Sequence, residues 1–270
     1  MDPGRNHGGN AGGVTLPPEV AGLAYHRQLG PHLRTYLPKR LGVVRLGFIA
    51  LMAGAPLVLG GIAAVSAVWP VVAVCLLVTT IFGLLLLRAP EVNPRRAARR
   101  VYLFQQGFIH AGGKGGLLDC RWDAVAWVQQ KITDRYVNGV HVGTFYVYTI
   151  ARKDGPVLKL TEFFAGIAEL GRQISQEVTR VKLPNAVALL QQGQPVSFGD
   201  LAITTAGVVS ARHGLLPWTE LDEVQVIQGY VKLRKAGKWL PWSHKPAADI
   251  PNLFVFLTLA DQLQRAARQR

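Results

Sequence analysis

The chain has 270 residues, 30 lysines and arginines against 16 aspartates and glutamates, and a formal net charge of +14. This length allows a membrane segment and one or two small domains, and two cysteines exclude a disulfide-stabilised scaffold. A charge of this size is typical of proteins that bind nucleic acid. The positions of the basic residues along the chain therefore decide whether nucleic acid or a membrane is the expected partner.

The first 40 residues are predicted to be a disordered and juxtamembrane N-terminal segment. Residues 1–13 contain five glycines and cannot bury enough apolar surface to order themselves. Pro17-Pro18 favours a short helix over residues 21–28, which Gly30-Pro31 ends. The remainder, up to residue 40, is predicted to be a linker.

An uncharged apolar run organises the rest of the chain. Residues 46–87 contain no Asp, Glu, Lys, Arg or His over 42 positions. One membrane span needs about 20 apolar residues, and Trp69-Pro70 interrupts the run near its middle. We therefore predict a transmembrane helical hairpin over residues 41–90, with helices at about 46–68 and 71–87 and a turn at Trp69-Pro70.

Basic residues flank this run on both sides. The flanks carry nine lysines and arginines against one acid, Glu91. Because Lys and Arg beside a span stay in the cytoplasm, both termini are predicted to be cytoplasmic, in a multi-pass protein of the inner or plasma membrane. This location of the charge favours anionic lipid over nucleic acid, which is not expected as a partner. The residues expected to determine topology are Lys39, Arg40, Arg45, Arg88, Arg95, Arg96, Arg99 and Arg100.

Small residues in the first span predict close helix packing. Ala50/Gly54 and Gly60/Ala64 have the spacing that lets two backbones approach, either within the hairpin or, as the alternative, in a dimer. The run contains no ionisable residue, which argues against a transporter or channel formed by this chain alone.

After Arg100 the hydrophobic period becomes that of β-strands. Apolar residues from Phe164 to Val178 then recur at three and four, which indicates a helix, and Pro184 marks a boundary. The predicted strands lie around residues 103–109, 121–128, 144–150 and 157–160, with turns at 112–116, at Asn138-Gly139 and at 154–156.

The same order of signals recurs after Pro184. Gly207 and Trp218 are separated much as Gly107 and Trp122 are, strands follow at 225–227 and 230–234, and an apolar helix closes the chain. We therefore predict two tandem units, residues 98–183 and 185–270, each made of antiparallel strands and a C-terminal helix in an α+β fold.

Several short stretches resemble a known family. They are Tyr102-Leu-Phe-Gln-Gln-Gly-Phe, Arg121-Trp-Asp-Ala-Val, Tyr136-Val-Asn-Gly-Val, Phe198-Gly-Asp-Leu, Leu216-Pro-Trp and Lys235-Ala-Gly-Lys-Trp. These are similar to an uncharacterised family of actinobacterial membrane proteins, classed as a domain of unknown function, over most of residues 20–265. The strand–Gly–strand starts, the Trp-led strands and the terminal helices resemble bacterial PH-like domains. The resemblance implies two tandem PH-like domains after the hairpin, with no catalytic residue and no established activity.

One basic stretch of the second unit is the candidate binding site. Lys232 and Arg234 are two apart and share a face on a strand, and a turn at Gly237 follows. Basic strands with tryptophans beside them suit an anionic lipid headgroup, whereas the alternative is a solvated basic face with Trp239 or Trp242 in the core. The expected lipid-binding residues are Lys232, Arg234, Lys235, Lys238, Trp239, Trp242 and Lys245, with Lys131 and Arg135 as weaker candidates.

Sequence patterns for catalysis and metal binding are absent. The glycines at 112–116 lack P-loop spacing, and the seven histidines are scattered, so we expect no catalytic residue, metal or cofactor. The chain is therefore predicted to be an integral membrane protein with cytoplasmic PH-like domains, a non-catalytic scaffold for lipid or protein partners. The alternative is an accessory subunit of a membrane enzyme or transporter.

Overall fold

A computed structural model describes residues 16–112, 116–137 and 140–269. The chain divides into two compact units, Met1–Asp119 and Cys120–Arg270. Three of the predictions fall wholly or partly outside the described residues. They are the disorder of residues 1–13 and the turn at Asn138-Gly139, together with the centre of the glycine turn at 113–115.

The described part of the first unit contains four helices and a four-stranded sheet whose strands follow chain order. Its helices are α1 (Pro18–His26), α2 (Val43–Val65), α3 (Trp69–Leu87) and the short α4 (Pro94–Ala97). Its strands are hydrogen-bonded in the order β1 (His32–Tyr36), β2 (Arg100–Phe104), β3 (Gly107–Ala111) and β4 (Leu117–Arg121). The last two residues of β4 belong to the second unit, which begins at Cys120.

Helices α2 and α3 form the predicted hairpin. Both are long and apolar enough to span a membrane, with mean hydropathies of 2.2 and 2.7, and within these two helices Gly60 alone is fully buried. This exposure favours membrane association, because the core helix of a soluble protein would be covered. The helices pack closely at Gly60, where an added Cβ would lie 3.0 Å from the Cβ of Cys75. Gly60 therefore packs within the hairpin, as the spacing predicts.

The turn of the hairpin lies earlier than predicted. Helix α2 ends at Val65, and Ala67 adopts a left-handed conformation with φ 53°. Trp69 and Pro70 open α3 instead of forming the turn. Proline suits the first turn of a helix because its missing N–H would have no partner there.

The segment before the hairpin is more ordered than the sequence predicts. The short helix is confirmed as α1, which buries Val20 and Ala24. The predicted linker contains β1, which pairs antiparallel with β2 so that Tyr36 lies opposite Val101. Since 63 residues lie between these two strands, β1 is invisible to any local periodicity. Both ends of the hairpin are thus joined to neighbouring strands of one sheet.

Two histidines of this sheet predict a dependence of stability on pH. Burial lowers the pKa of His32 on β1 and of His110 on β3, and the nearby Arg99 lowers the pKa of His110 further. The unfolded chain therefore binds more protons, so this part of the stability is present above a pH of about 6.5 and is lost as pH falls through the folded pKa values. We therefore expect the midpoint temperature of thermal unfolding of the full chain to be lower at pH 5.5 than at pH 7.5.

Substituting His110 tests the cause of that fall. In His110→Gln the acid-induced decrease should be smaller, because one of the two groups no longer takes up a proton on unfolding. His26→Gln, at the exposed end of α1, is the matched control. An identical decrease in all three proteins would show that other groups control the acid response.

The second unit contains three sheets and two helices in its described residues. The first sheet is β5 (Val125–Val137), β6 (Val140–Arg152) and β7 (Val157–Thr161), followed by α5 (Ile167–Gln191). The second is β8 (Val196–Phe198), β9 (Leu201–Ile203), β10 (Gly207–Ser210) and β11 (Gly214–Pro217). The third is β12 (Leu221–Ile227), β13 (Tyr230–Lys235) and β14 (Pro241–Pro246), followed by α6 (Leu253–Arg268).

The order of elements repeats along the chain. A four-stranded sheet, a three-stranded sheet and a helix occur twice, first as β1–β4, β5–β7 and α5, then as β8–β11, β12–β14 and α6. Trp122 and Trp218 directly follow the fourth strand of each set, and both are buried. Pro184 does not end a helix, because α5 continues through it to Gln191. The proposed division into residues 98–183 and 185–270 stays a prediction.

Close contacts anchor both helices of the second unit. Gly171 on α5 faces the ring of Tyr148 on β6, and an added Cβ would lie 1.9 Å from that ring. Asn252, just before α6, adopts a left-handed conformation with φ 53°. Its backbone N–H donates to the carbonyl of Val128 at 2.8 Å, and its Oδ1 accepts the N–H of Val128 at 3.1 Å. These contacts fix α5 and α6 against the β5–β7 sheet.

Candidate functional site

The predicted basic site lies on the β13–β14 hairpin. Val231 and Leu233 of β13 are buried, so Lys232 and Arg234 point to the opposite face, as their spacing predicts. Lys245 lies opposite Val231 in the strand register. Since directly paired residues share a face of the sheet, Lys245 lies on the side away from Lys232 and Arg234. The hairpin therefore does not gather all of the expected cations on one surface.

Acidic residues neutralise three of these cations. Arg234 Nη2 lies 2.8 Å from Asp222 Oδ2 and 3.0 Å from Glu223 Oε2. Lys235 Nζ lies 2.5 Å from Glu220 Oε2, and Lys245 Nζ lies 2.5 Å from Asp200 Oδ2. Such exposed pairs contribute little stability, but each one offsets the charge that an anionic ligand would meet.

The two tryptophans have different environments. Trp242 is half-buried, packs against the hydrophobic core and has its ring 5.6 Å from that of His213. Trp239 is 98% exposed and is followed by Leu240, which is 79% exposed. The predicted alternative of a tryptophan in the core therefore applies to Trp242 and not to Trp239.

The tip of the hairpin combines exposed charge with exposed apolar surface. The turn has Gly237 at φ 69° and is closed by the N–H of Lys238, which donates to the carbonyl of Lys235 at 3.1 Å. Lys238 is exposed, has no ion-pair partner among the described residues and immediately precedes Trp239 and Leu240. We call residues 238–240 the hairpin tip.

A cleft of about 410 Å³ lies elsewhere in the second unit. Gly229, at φ 79°, comes so close to β5 that an added Cβ would lie 2.7 Å from the carbonyl oxygen of Ile132. Lys131 lines this cleft, whereas Arg135 stacks over the ring of Phe145 at 5.7 Å. The two weaker candidates therefore have different surroundings, and the cleft walls include Ile132, Asp134, Gly229, Tyr230 and Pro246.

The base of the helical hairpin holds a second concentration of cations. The Glu91 carboxylate, after α3, accepts the backbone N–H of Leu41, before α2, and so joins the two ends of the hairpin. Asn93 caps α4 through its side chain, and Arg96 Nη1 donates to the carbonyl of Arg88 at 2.9 Å. A pocket of about 390 Å³ opens here, and it is lined by Leu37, Arg40, Pro90, Glu91, Ala97 and Arg100.

Sequence reasoning identified the cations of this region but not the pocket. Arg40 and Arg100 appeared only as topology signals, separated by the whole hairpin. Pairing of β1 with β2 brings the chain before α2 and the chain after α3 to one place. The sequence signal for this pocket was the pair of basic flanks, which the pairing of β1 with β2 brings together.

Among the described residues, no group of three or more His, Cys, Asp or Glu side chains could hold a metal ion. Burial raises the pKa of Tyr148, while hydrogen bonds from Arg121 lower the pKa of Asp123. Tyr148 packs against α5 in the core, and Asp123 is paired on the surface, so each perturbed group has a structural explanation.

Comparison with known proteins places the whole chain in one group. No curated protein and no solved structure shows a significant match to the chain. The profile of a family of unknown function, DUF6585, matches residues 20–269, which cover most of α1, the helical hairpin and every strand described above. The chain therefore belongs to the family of unknown function DUF6585.

Proposed function

We propose that the protein is a non-catalytic membrane scaffold, anchored by its helical hairpin in the inner or plasma membrane, with both termini in the cytoplasm. Its strand-rich regions are PH-like domains, and the second region docks its hairpin tip on an anionic bilayer surface. The repeated order of two sheets and a closing helix supports the PH-like assignment.

The helical hairpin, α2 and α3, supports the proposed membrane anchor and its orientation. Helices α2 and α3 carry no charged residue after Arg45, and Gly60 alone is fully buried within them. Strands β1 and β2 pair with each other, so the two ends of the hairpin must lie on the same side of the bilayer. The basic flanks favour the cytoplasmic side.

The hairpin tip carries the proposal of lipid contact. A tryptophan that is 98% exposed next to a leucine that is 79% exposed leaves a large apolar surface in water. Trp is enriched at membrane interfaces, and a basic residue near an anionic surface contributes about 1 kcal/mol to binding. Lys238 supplies that charge at the same turn. The paired residues Arg234, Lys235 and Lys245 have a smaller part in this proposal than in the sequence-based prediction, because acidic residues already offset their charges.

A fluorescent label at the tip tests lipid contact. The full chain with Leu240→Cys, labelled with an environment-sensitive fluorophore, is placed in nanodiscs of phosphatidylcholine with or without phosphatidylglycerol. We expect a blue shift with the anionic lipid and its loss near 1 M salt, where the Debye length falls to about 3 Å. Lys238→Glu should reduce the equilibrium constant for docking about tenfold or more, because it replaces attraction by repulsion.

Two controls separate this contact from general effects. A label at Ala266→Cys, an exposed position of α6, should give no lipid-dependent shift, and Lys159→Glu on β7 removes a comparable exposed lysine away from the tip. A tip label that gives the same spectrum in both kinds of nanodisc would refute lipid docking. A label shielded in every lipid and at every salt concentration would point instead to a protein partner.

A further inference from the structure

The pocket at the base of the helical hairpin has the composition of an anion site. Arg40 lies three residues before α2, and Arg100 begins β2, so the two guanidinium groups come from opposite ends of the hairpin. Leu37, Pro90 and Ala97 add apolar walls. The pocket therefore combines two cations with apolar surface at the point where the chain enters and leaves the proposed bilayer.

The cations of this pocket are available to a ligand. Neither Arg40 nor Arg100 has an ion-pair partner among the residues that the structure describes. Arg234 of the second unit, by contrast, contacts two carboxylates. Glu91 is the acid in the pocket lining, and its carboxylate already accepts the N–H of Leu41. Lys39, Arg45 and Arg88 are further cations close in sequence to the residues that line the pocket.

The geometry points to a headgroup phosphate of an anionic phospholipid as the occupant. Guanidinium groups bind phosphate oxygens through two parallel hydrogen bonds. A zwitterionic headgroup offers the same phosphate but brings a positive ammonium group close to the two arginines, which weakens its binding relative to an anionic headgroup. The volume of about 390 Å³ is at the small end of ligand pockets and suits a headgroup rather than a whole lipid. Basic pockets beside membrane helices on the cytoplasmic side are suited to anionic headgroups.

This inference rests on the proposed membrane anchor and not on the hairpin tip. The lipid would bind with its phosphate between Arg40 and Arg100 and its acyl chains along the outer surface of α2 or α3. It would then bridge the two ends of the hairpin, in parallel with the Glu91–Leu41 hydrogen bond.

Native mass spectrometry of the delipidated full chain in detergent tests the site. The protein is titrated with phosphatidylglycerol, with phosphatidylcholine and with soluble glycerol 3-phosphate. We expect one phosphatidylglycerol to bind before any others and in preference to phosphatidylcholine. In Arg40→Gln/Arg100→Gln this first binding step should weaken about 20-fold or more, because two sets of charge-assisted hydrogen bonds are lost.

Two further variants keep the result specific. Arg45→Gln/Arg95→Gln removes the same charge from the flanks but outside the pocket lining, and should weaken the step less than about threefold. Ala97→Phe keeps every cation and fills the pocket from an exposed position on α4, so it should also abolish the first step. The thermal midpoints of all variants establish that they are folded.

Three outcomes would overturn the inference. They are equal loss in both double arginine variants, no preference for phosphatidylglycerol in the wild type, and full binding by Ala97→Phe. Binding of glycerol 3-phosphate as tight as that of the lipid would identify a soluble phosphate as the ligand and so contradict the lipid assignment. Trp239→Ser should leave the first step unchanged, which distinguishes failure at the hairpin tip from failure here.

Discussion

Replacement of Gly171 by alanine should lower the free energy of unfolding by about 2 kcal/mol. The new Cβ would lie 1.9 Å from the Tyr148 ring, and overpacking of a core costs about 3 kcal/mol at the upper end of its usual range. Alanine also gains about 1 kcal/mol of helix propensity over glycine, so the clash exceeds the gain. Tyr148 has little freedom to retreat, because it is 3% exposed and its ring stacks on Tyr146.

The midpoint of thermal unfolding, followed by the fluorescence of the buried Trp122 and Trp218, measures this effect. Tyr148→Leu removes the atoms that clash, so Gly171→Ala should cost much less in that background, and the difference is the coupling energy between the two positions. Gly22→Ala on α1 is the control, since nothing lies within 4 Å of an added Cβ there. A Gly171→Ala protein as stable as the wild type would show that α5 and β6 are farther apart than the structure has them.

Replacement of Asn252 by alanine should cost about 2 to 5 kcal/mol through two separable effects. Loss of Oδ1 leaves the N–H of Val128 without its partner, which costs about 1 to 3 kcal/mol when the group is buried. The left-handed backbone at φ 53° adds about 1 to 2 kcal/mol for a residue with a Cβ and no local hydrogen bond. Asparagine meets both demands at this position.

A series at this position separates the two effects. Asn252→Gly keeps the backbone conformation and loses only the side-chain acceptor, so it should be less destabilising than Asn252→Ala. Asn252→Asp keeps an acceptor oxygen and should be the mildest of the three. If glycine and alanine cost the same, the backbone conformation contributes nothing; if aspartate costs as much as alanine, the acceptor does not matter. Hydrogen exchange of the Val128 amide provides a local measurement beside the unfolding midpoint.

The features that could be predicted from the sequence are those with a local signal. The uncharged run specified two apolar helices, and alternation with β-branched and aromatic residues located strands such as β6 and β7. The repeat was visible because each half carries the same order of turns, tryptophan and closing helix. Each of these patterns lies within a short stretch of residues.

The features that were missed depend on distant partners. Strand β1 is stabilised by β2, across the whole hairpin, so its own five residues gave no signal. Helix α5 continues through Pro184 because burial on both sides of it, at Val178 and Ala186, outweighs the local penalty of a proline. The low helix propensity of proline, taken alone, predicted that the helix would end at Pro184.

The basic site shows the same limit in electrostatics. Spacing on a strand correctly gave Lys232 and Arg234 one face, but the acids that pair with the cations lie elsewhere in the chain. Asp200 is 45 residues from Lys245, and Asp222 is 12 residues from Arg234. A count of basic residues cannot show which of them are already neutralised, whereas the isolated Lys238 and exposed Trp239 emerge only from the folded hairpin.

The pairing of β1 with β2 also sets an order of events on the ribosome. Strand β1 is synthesised first, and its partner emerges only after the 63 residues that contain both apolar helices. At about 5 to 20 residues per second this interval is about 3 to 13 s. During that time β1 exposes an unpaired edge, and the sheet can close only once the nascent hairpin has left the ribosome. Completion of this sheet is therefore a late step in folding, reached only after both apolar helices have been synthesised.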